Sequence, residues 1–188
     1  MSRRFSNVIG VDDAPFARSH RGDLAIVGAV TTAGRLDGVL VGKVRRDGAD
    51  STRRIAAMIT GSRFHGHMQA LLLQGIALGG FNVVDLHGLA AAIERPVLVV
   101  ARRRPDLRAI ERALVEKVRG GRRKWALVEA AGAMEPCEGV WVQRAGLSPA
   151  EAGALVRGTR AVGALPECLR LAHLIAGGIG DGASRGRA

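Results

Sequence analysis

The chain predicts a mixed α/β fold, a sheet whose first three strands run antiparallel and whose later strands run parallel, with helices on both faces. Three observations predict it. Short apolar, β-prone runs recur along the chain, bounded by glycine, proline or aspartate. The early runs are joined by tight turns, while the later ones alternate with helical patterns in the order of βαβ units. The 188 residues are 47% apolar, enough for one domain that buries ~70% of its unfolded surface. One domain is therefore expected over residues 1–188. Parallel strands of such a sheet place ligands at their carboxyl ends.

The first strand lies within residues 7–13, NVIGVDD. Val8, Ile9 and Val11 are β-prone, and Pro15 stops the strand. Leu24–Thr31 and Leu36–Arg46 are predicted as a hairpin around Thr32-Ala33-Gly34-Arg35. Asp50-Ser51-Thr52 offers caps for a helix carrying Ile55, Met58 and Ile59 on one stripe. Ala70–Leu73 reads as a buried central strand, followed by a glycine-rich stretch and then a helix in VVDLHGLAAAI. Val97–Ala101 is another buried strand, and Asp106–Val118 an amphipathic helix. Ala126–Val128 and Val140–Val142 are short strand candidates. Ser148-Pro149-Ala150-Glu151 has the form of a capping box with proline at the first helical position. A last helix is expected from about Pro166 to Ala176 with Gly177 as its cap, and a loose tail from about Gly178.

Composition narrows the function. Aromatics are 3% of the chain and Tyr is absent, which argues against base-stacking platforms. Cys137 and Cys168 lack metal or disulfide spacing, so a reducing cytoplasm is the expected compartment. No stretch reads as an export signal, and the longest mostly apolar run, Met68 to Val84, is interrupted by Gln69, Gln74 and Asn82. No membrane association is expected. The net charge is +11. Residues 102–124 carry ten basic side chains against three acids. Arg102, Arg103, Arg104, Arg122, Arg123 and Lys124 are the proposed contacts for a nucleic-acid backbone. The alternative is a solvated helix surface.

The chemistry-bearing candidates are acidic. Asp12 and Asp13 close an apolar strand, where an acid is a poor strand former and costly to bury unpaired. Either they serve metal or acid/base chemistry at the sheet edge, or they cap the following turn. Asp85 stands where a helix begins; it either complements the helix dipole or supplies a further carboxylate to Asp12. Glu167, Arg170 and His173 follow at i, i+3 spacing on the last helix, as a surface ladder or as a row that presents His173 to the active edge. Gly182-Ala183-Ser184-Arg185-Gly186 has the nucleophile-elbow pattern without the strand before it or a histidine after it.

The segments GVDDAPF, GGFNVVDLHGL, RPVLVVARRRPDL and PECLRLAHLIA resemble, in order and spacing, the uncharacterised and mainly archaeal family catalogued as domain of unknown function ninety-nine. The resemblance runs from Val8 to about Ile179. That family is similar to endonuclease V, a magnesium-dependent nuclease acting at deaminated bases, and so implies a ribonuclease H-like fold. By the same resemblance, Gly10-Val11-Asp12 matches the motif of the first catalytic aspartate, with Asp13 beside it. Pro166-Glu167-Cys168-Leu169-Arg170-Leu171-Ala172, followed by His173, matches the C-terminal motif. Gln74 stands where the resemblance calls for a second aspartate, and Asp85 or Asp50 is the expected substitute. Hard cations depend on charged oxygen ligands, so Gln74 weakens the case for catalysis.

Three functions follow as expectations. The first is a magnesium- or manganese-dependent endonuclease, with Asp12, Asp13 and Asp85 on the metal and His173 or Glu167 in support. The second is a catalytically degenerate nucleic-acid-binding protein of the same fold. The third is a phosphate-ester hydrolase for a small nucleotide.

Overall fold

The computed structural model describes residues 5–184. Strands β1 (Asn7–Asp13), β2 (Asp23–Thr32) and β3 (Arg35–Arg45) are followed by helix α1 (Ser51–Thr60) and strand β4 (Ala70–Gln74). A small hairpin, β5 (Ala77–Leu78) with β6 (Asn82–Val83), leads to α2 (Leu86–Ile93) and β7 (Val97–Ala101). Then come α3 (Leu107–Lys117), α4 (Gly121–Ala130), β8 (Glu135–Cys137), β9 (Val140–Ala145), α5 (Pro149–Thr159) and α6 (Glu167–Asp181). Seven strands form one sheet in the order β3-β2-β1-β4-β7-β9-β8. The β1–β2 and β2–β3 pairs are antiparallel, and β1–β4 and β4–β7 are parallel. The far edge turns antiparallel again, through β7–β9 and β9–β8.

Alternation along the central strands builds two cores. Ile9 and Val11 of β1 and Leu71 and Leu73 of β4 pack with Ile55 and Ile59 of α1 and Leu86, Leu89 and Ile93 of α2. Val8, Ala70, Leu72, Leu98 and Val100 face the other way, onto Leu155 and Val156 of α5 and Cys168 and Leu169 of α6. A third cluster packs the α3–α4 pair over the β5–β6 hairpin through Val83, Leu114 and Val128. Helices thus cover both faces, and the aliphatic core needs few aromatic rings.

Two expected elements differ. Ala126–Val128 is not a strand; it lies inside α4. The run Ala-Leu-Val reads as β, yet Trp125 and Val128 pack with Leu114 of α3 at helical spacing. The α3–α4 corner explains why a helix starts there. Gly120 is left-handed at φ 71°, and a Cβ on Gly121 would stand 1.8 Å from the Leu114 carbonyl oxygen. The last helix also does not stop at Gly177. It continues to Asp181 and is capped by Gly182 at φ 74°, so residues 178–181 are helical. Residues 185–188, including the end of the expected tail, lie outside the described residues.

Helix α6 sits on β1 without an intervening side chain. A Cβ on Gly10 would lie 2.5 Å from the Cys168 carbonyl carbon and 2.7 Å from the Leu169 nitrogen. Those are backbone atoms in the helix and cannot swing aside. Gly10→Ala should therefore lower unfolding stability by ~3 kcal/mol, measured by urea titration. Stability within 0.5 kcal/mol of the wild type would show that α6 can lift off the strand at little cost.

Candidate active site

The carboxyl ends of β1, β4 and β7 lie side by side, because these strands are parallel neighbours paired Val11 to Leu73 and Gln74 to Val100. Beyond β1 and β4 opens a cleft of about 960 Å³ whose lining includes Asp12, Asp13, Phe16, Gln74, His173 and Asp181. Asp12 continues the side of β1 that faces α6. Its Oδ2 lies 2.8 Å from Nδ1 of His173, two turns along α6 from Glu167. Asp12 Oδ1 accepts the Asp13 backbone N–H at 2.9 Å. Asp13 alternates to the other side, and its Oδ2 accepts the N–H of Gly79, in the β5–β6 turn, at 2.8 Å. Gln74 follows Leu72 on the α6 side and so stands beside Asp12. Its Oε1 is buried with no hydrogen-bond partner.

Burial dominates the electrostatics. Asp12 is 4% exposed. Loss of water, and secondarily the negative charge of Asp13, push its carboxyl up to about 7, against the pull of the His173 hydrogen bond. Burial also raises Asp13, less the effect of the Gly79 N–H that favours its charged form. Two adjacent buried carboxylates that resist ionisation are the environment that a cation relieves. Among the described residues, no group of three or more His, Cys, Asp or Glu side chains is placed to hold a metal. The oxygen donors at the strand ends are Asp12, Asp13 and the orphaned Gln74 Oε1, and Asp181 lines the same cleft from α6. An unpaired buried acceptor next to a buried acid suits a hard cation better than solvent-free packing does.

The sequence matches the endonuclease dU family over residues 4–180. The chain belongs to the endonuclease dU family. A UPF0215 protein of Deinococcus radiodurans is 54% identical over 98% of this chain and 94% of its own length. A solved protein from Archaeoglobus fulgidus is 33% identical, with a TM-score of 0.87 over 93% of this chain and 98% of its own. Ciona intestinalis endonuclease V, solved with a DNA containing inosine followed by a ribo-adenosine, superposes with a TM-score of 0.56 over 89% of this chain and 83% of its own. At 13% identity that last likeness concerns the fold, which is ribonuclease H-like as the resemblance implied. Family relatives are bacterial as well as archaeal.

Not every expected site residue of this endonuclease dU family member reaches the cleft. Asp85 does not. It is the N-cap of α2, its Oδ1 accepts the Gly88 N–H at 2.9 Å, and α2 packs on the face of the sheet opposite Asp12. Helix capping, not metal binding, occupies this acid. Asp50 is likewise taken, by the Asn82 amide at 2.7 Å and the Arg45 N–H at 3.1 Å. Glu167 is buried at the start of α6 and clasps Arg170 with both oxygens, at 2.5 and 2.8 Å; it is not among the residues lining the cleft. Of the row on α6, the fold delivers His173 alone.

The basic segment divides in the same way. Arg102, Arg103 and Arg104 are exposed in the loop after β7, at the same sheet edge as Asp12, and Arg122 and Arg123 are exposed on α4. Arg104 stacks over Trp141 at 5.4 Å. Lys124 departs from expectation. It is 6% exposed, and its Nζ donates to the Asp47 carbonyl at 2.6 Å, because helical spacing turns it inward with Val128. No helix among the described residues is long and apolar enough to cross a membrane. Phe16, Gln74 and Asp181 are cleft residues that the candidate set omitted. Gln74 carried a signal, a polar residue ending an otherwise apolar buried strand.

Asp12 gives a pH signature to the metal-free protein. From about 4 to about 7 the unfolded chain has released the Asp12 proton that the folded chain keeps, so its stabilising share is lost as pH rises through that window. Asp12→Asn removes the penalty. In chelator at pH 8 the variant should melt ~5 °C above the wild type, with the advantage vanishing below pH 4. A difference in melting temperature that does not vary with pH would contradict a buried acid of this kind.

Proposed function

We propose that this protein is a divalent-metal-dependent endonuclease that cleaves DNA phosphodiester bonds at deaminated bases, deoxyuridine first among them. The observation that carries this is the contact of the buried Asp12 with the half-exposed His173, 2.8 Å apart, at the carboxyl edge of a ribonuclease H-like sheet. Membership of the endonuclease dU family supports the substrate. The inosine-containing DNA held by a structural neighbour supports the class of lesion.

Asp12, Asp13 and the Gln74 amide oxygen would hold magnesium or manganese. The bound ion would supply charge neutralisation at the scissile phosphate. Asp12, when ionised, accepts a hydrogen bond from His173 Nδ1–H and so fixes the ring, leaving Nε2 free to take or give a proton at the reacting oxygens. The Gly79 N–H anchors the Asp13 carboxyl and favours its charged form against the effect of burial. Arg102, Arg103 and Arg104 stand at the same edge to engage backbone phosphates. Gln74 favours a second reading, a nucleic-acid-binding protein without cleavage, because it puts a neutral amide rather than a charged ligand at the strand end beside Asp12.

One experiment separates the two. Purified wild type should nick a duplex carrying one deoxyuridine in manganese or magnesium and not in chelator. Asp12→Asn should lose at least ~10³-fold in rate while binding the same duplex. Absence of cleavage on uracil, hypoxanthine and mismatched duplexes alike would leave the binding reading in its place. Changing Arg102, Arg103 and Arg104 together to Gln should flatten the slope of log affinity against log salt by up to ~3. An unchanged slope would show that these arginines make no phosphate contact.

A further inference from the structure

The buried Lys124 stands at one end of a chain of contacts whose other end is Asp13. Its Nζ donates to the carbonyl of Asp47, which lies just past β3 and is left-handed at φ 51°. A non-glycine residue in that conformation costs ~1 kcal/mol and persists where its surroundings fix it. Asp47 is fixed from several sides. Its N–H donates to the Gly79 carbonyl at 2.9 Å, and its Oδ1 accepts the Phe81 N–H at 2.9 Å. Its Oδ2 pairs with Arg46 Nε at 3.2 Å. Gly79 then donates its own N–H to Asp13. The fit leaves no slack: a Cβ on Gly80 would stand 2.4 Å from Asp47 Oδ1, and one on Gly79 would stand 3.0 Å from Val44. The Arg46 guanidinium also lies 5.3 Å over the ring of Phe16, a second cleft residue.

Helix stapling alone gives little reason for a cation here. The acceptor is a backbone carbonyl rather than a carboxylate, and desolvation of the buried ammonium outweighs the pull of the Asp47 charge. An apolar side chain in the same place would avoid that cost. The charge instead ends at the residue on which the β5–β6 turn is seated.

We infer that Lys124 is a positioning residue for Asp13: by fixing Asp47, it holds the Gly79 N–H on the Asp13 carboxylate. The inference rests on Asp13 being a site carboxylate. It also joins two parts of the molecule, since the outer side of α4 carries Arg122 and Arg123 while its inner side carries Lys124.

Amide hydrogen exchange tests this without relying on cleavage. In folded Lys124→Met, protection of the Gly79 and Phe81 amides should fall about tenfold, the worth of one lost hydrogen bond, while amides of β1 and β4 keep theirs. If wild type cleaves, the variant should need about tenfold more manganese for half-maximal rate, with duplex affinity in chelator unchanged. Lys124→Arg, which keeps the cation, should recover part of both. If Met at this position prevents folding, Lys124→Gln keeps a donor without the charge and is measured in the same way. Unchanged Gly79 protection in a folded variant overturns the inference, whatever the rates. Failure of wild type to cleave overturns the nuclease reading instead, and the Gly79 amide still decides the role of Lys124.

Discussion

The contact between Gly10 and the backbone of α6 is the constraint on which the rest depends. A strand and a helix ordinarily keep ~10 Å between axes because side chains fill the gap. Here glycine removes that filler at the one place where α6 crosses β1, and Cys168 and Leu169 drop onto the strand. A second close approach, Gly180 against Pro15, seats the far end of the same helix on the chain that leaves β1. Between these two points lies His173. Its 2.8 Å distance to Asp12 follows from the helix being pinned on both sides of it, so a packing feature becomes a chemical one.

The same closeness sets the electrostatics. Lowering α6 onto β1 strips water from Asp12, and the next residue in the strand is another acid. The fold carries an arrangement that costs stability whenever both carboxylates ionise. Such arrangements persist where they serve a ligand. A cation would reverse the sign of the local effect, turning the raised acid into a strong oxygen donor. Gln74 moderates this. Its amide offers an oxygen without adding a third charge to a pair already difficult to ionise.

Much of the frame was legible. The early hairpin, the central strands and the capping box at Ser148 are local signals, and the structure repeats them nearly residue for residue. Asp12 was legible for the same reason, an acid ending an apolar run. What escaped depends on contacts distant in sequence. Ala126–Val128 has a strand's composition, and the glycine corner at Gly120-Gly121 that makes it helical is understood only against Leu114. Lys124 counts as surface charge in any tally of basic residues, and only packing on the β5–β6 hairpin turns it inward. Asp85 illustrates the reverse. Its service to a helix start, read as complementing the dipole, was one of two open readings, and the choice needed to know which face of the sheet α2 covers.

Strand order gives the carboxyl edge of the sheet a gradient of charge. Across β1, β4 and β7 the carboxyl ends present an acid at Asp12, a neutral amide at Gln74 and, just past the last strand, a cation at Arg102. Adjacent strands lie ~4.8 Å apart, so acid and cation are separated by ~10 Å along the edge of the sheet. At that spacing, beside solvent, the two charges do not neutralise each other as an ion pair would. A polyanion laid along the edge meets attraction at one end and, without a cation at Asp12, repulsion at the other. On the proposed reading the divalent ion thus does more than chemistry: it makes the acidic end hospitable to the phosphate that the arginine end has already drawn in. Substrate affinity and metal occupancy are then linked through the order of three parallel strands, and an acid at position 74 would strengthen the metal while deepening the repulsion that the metal must overcome.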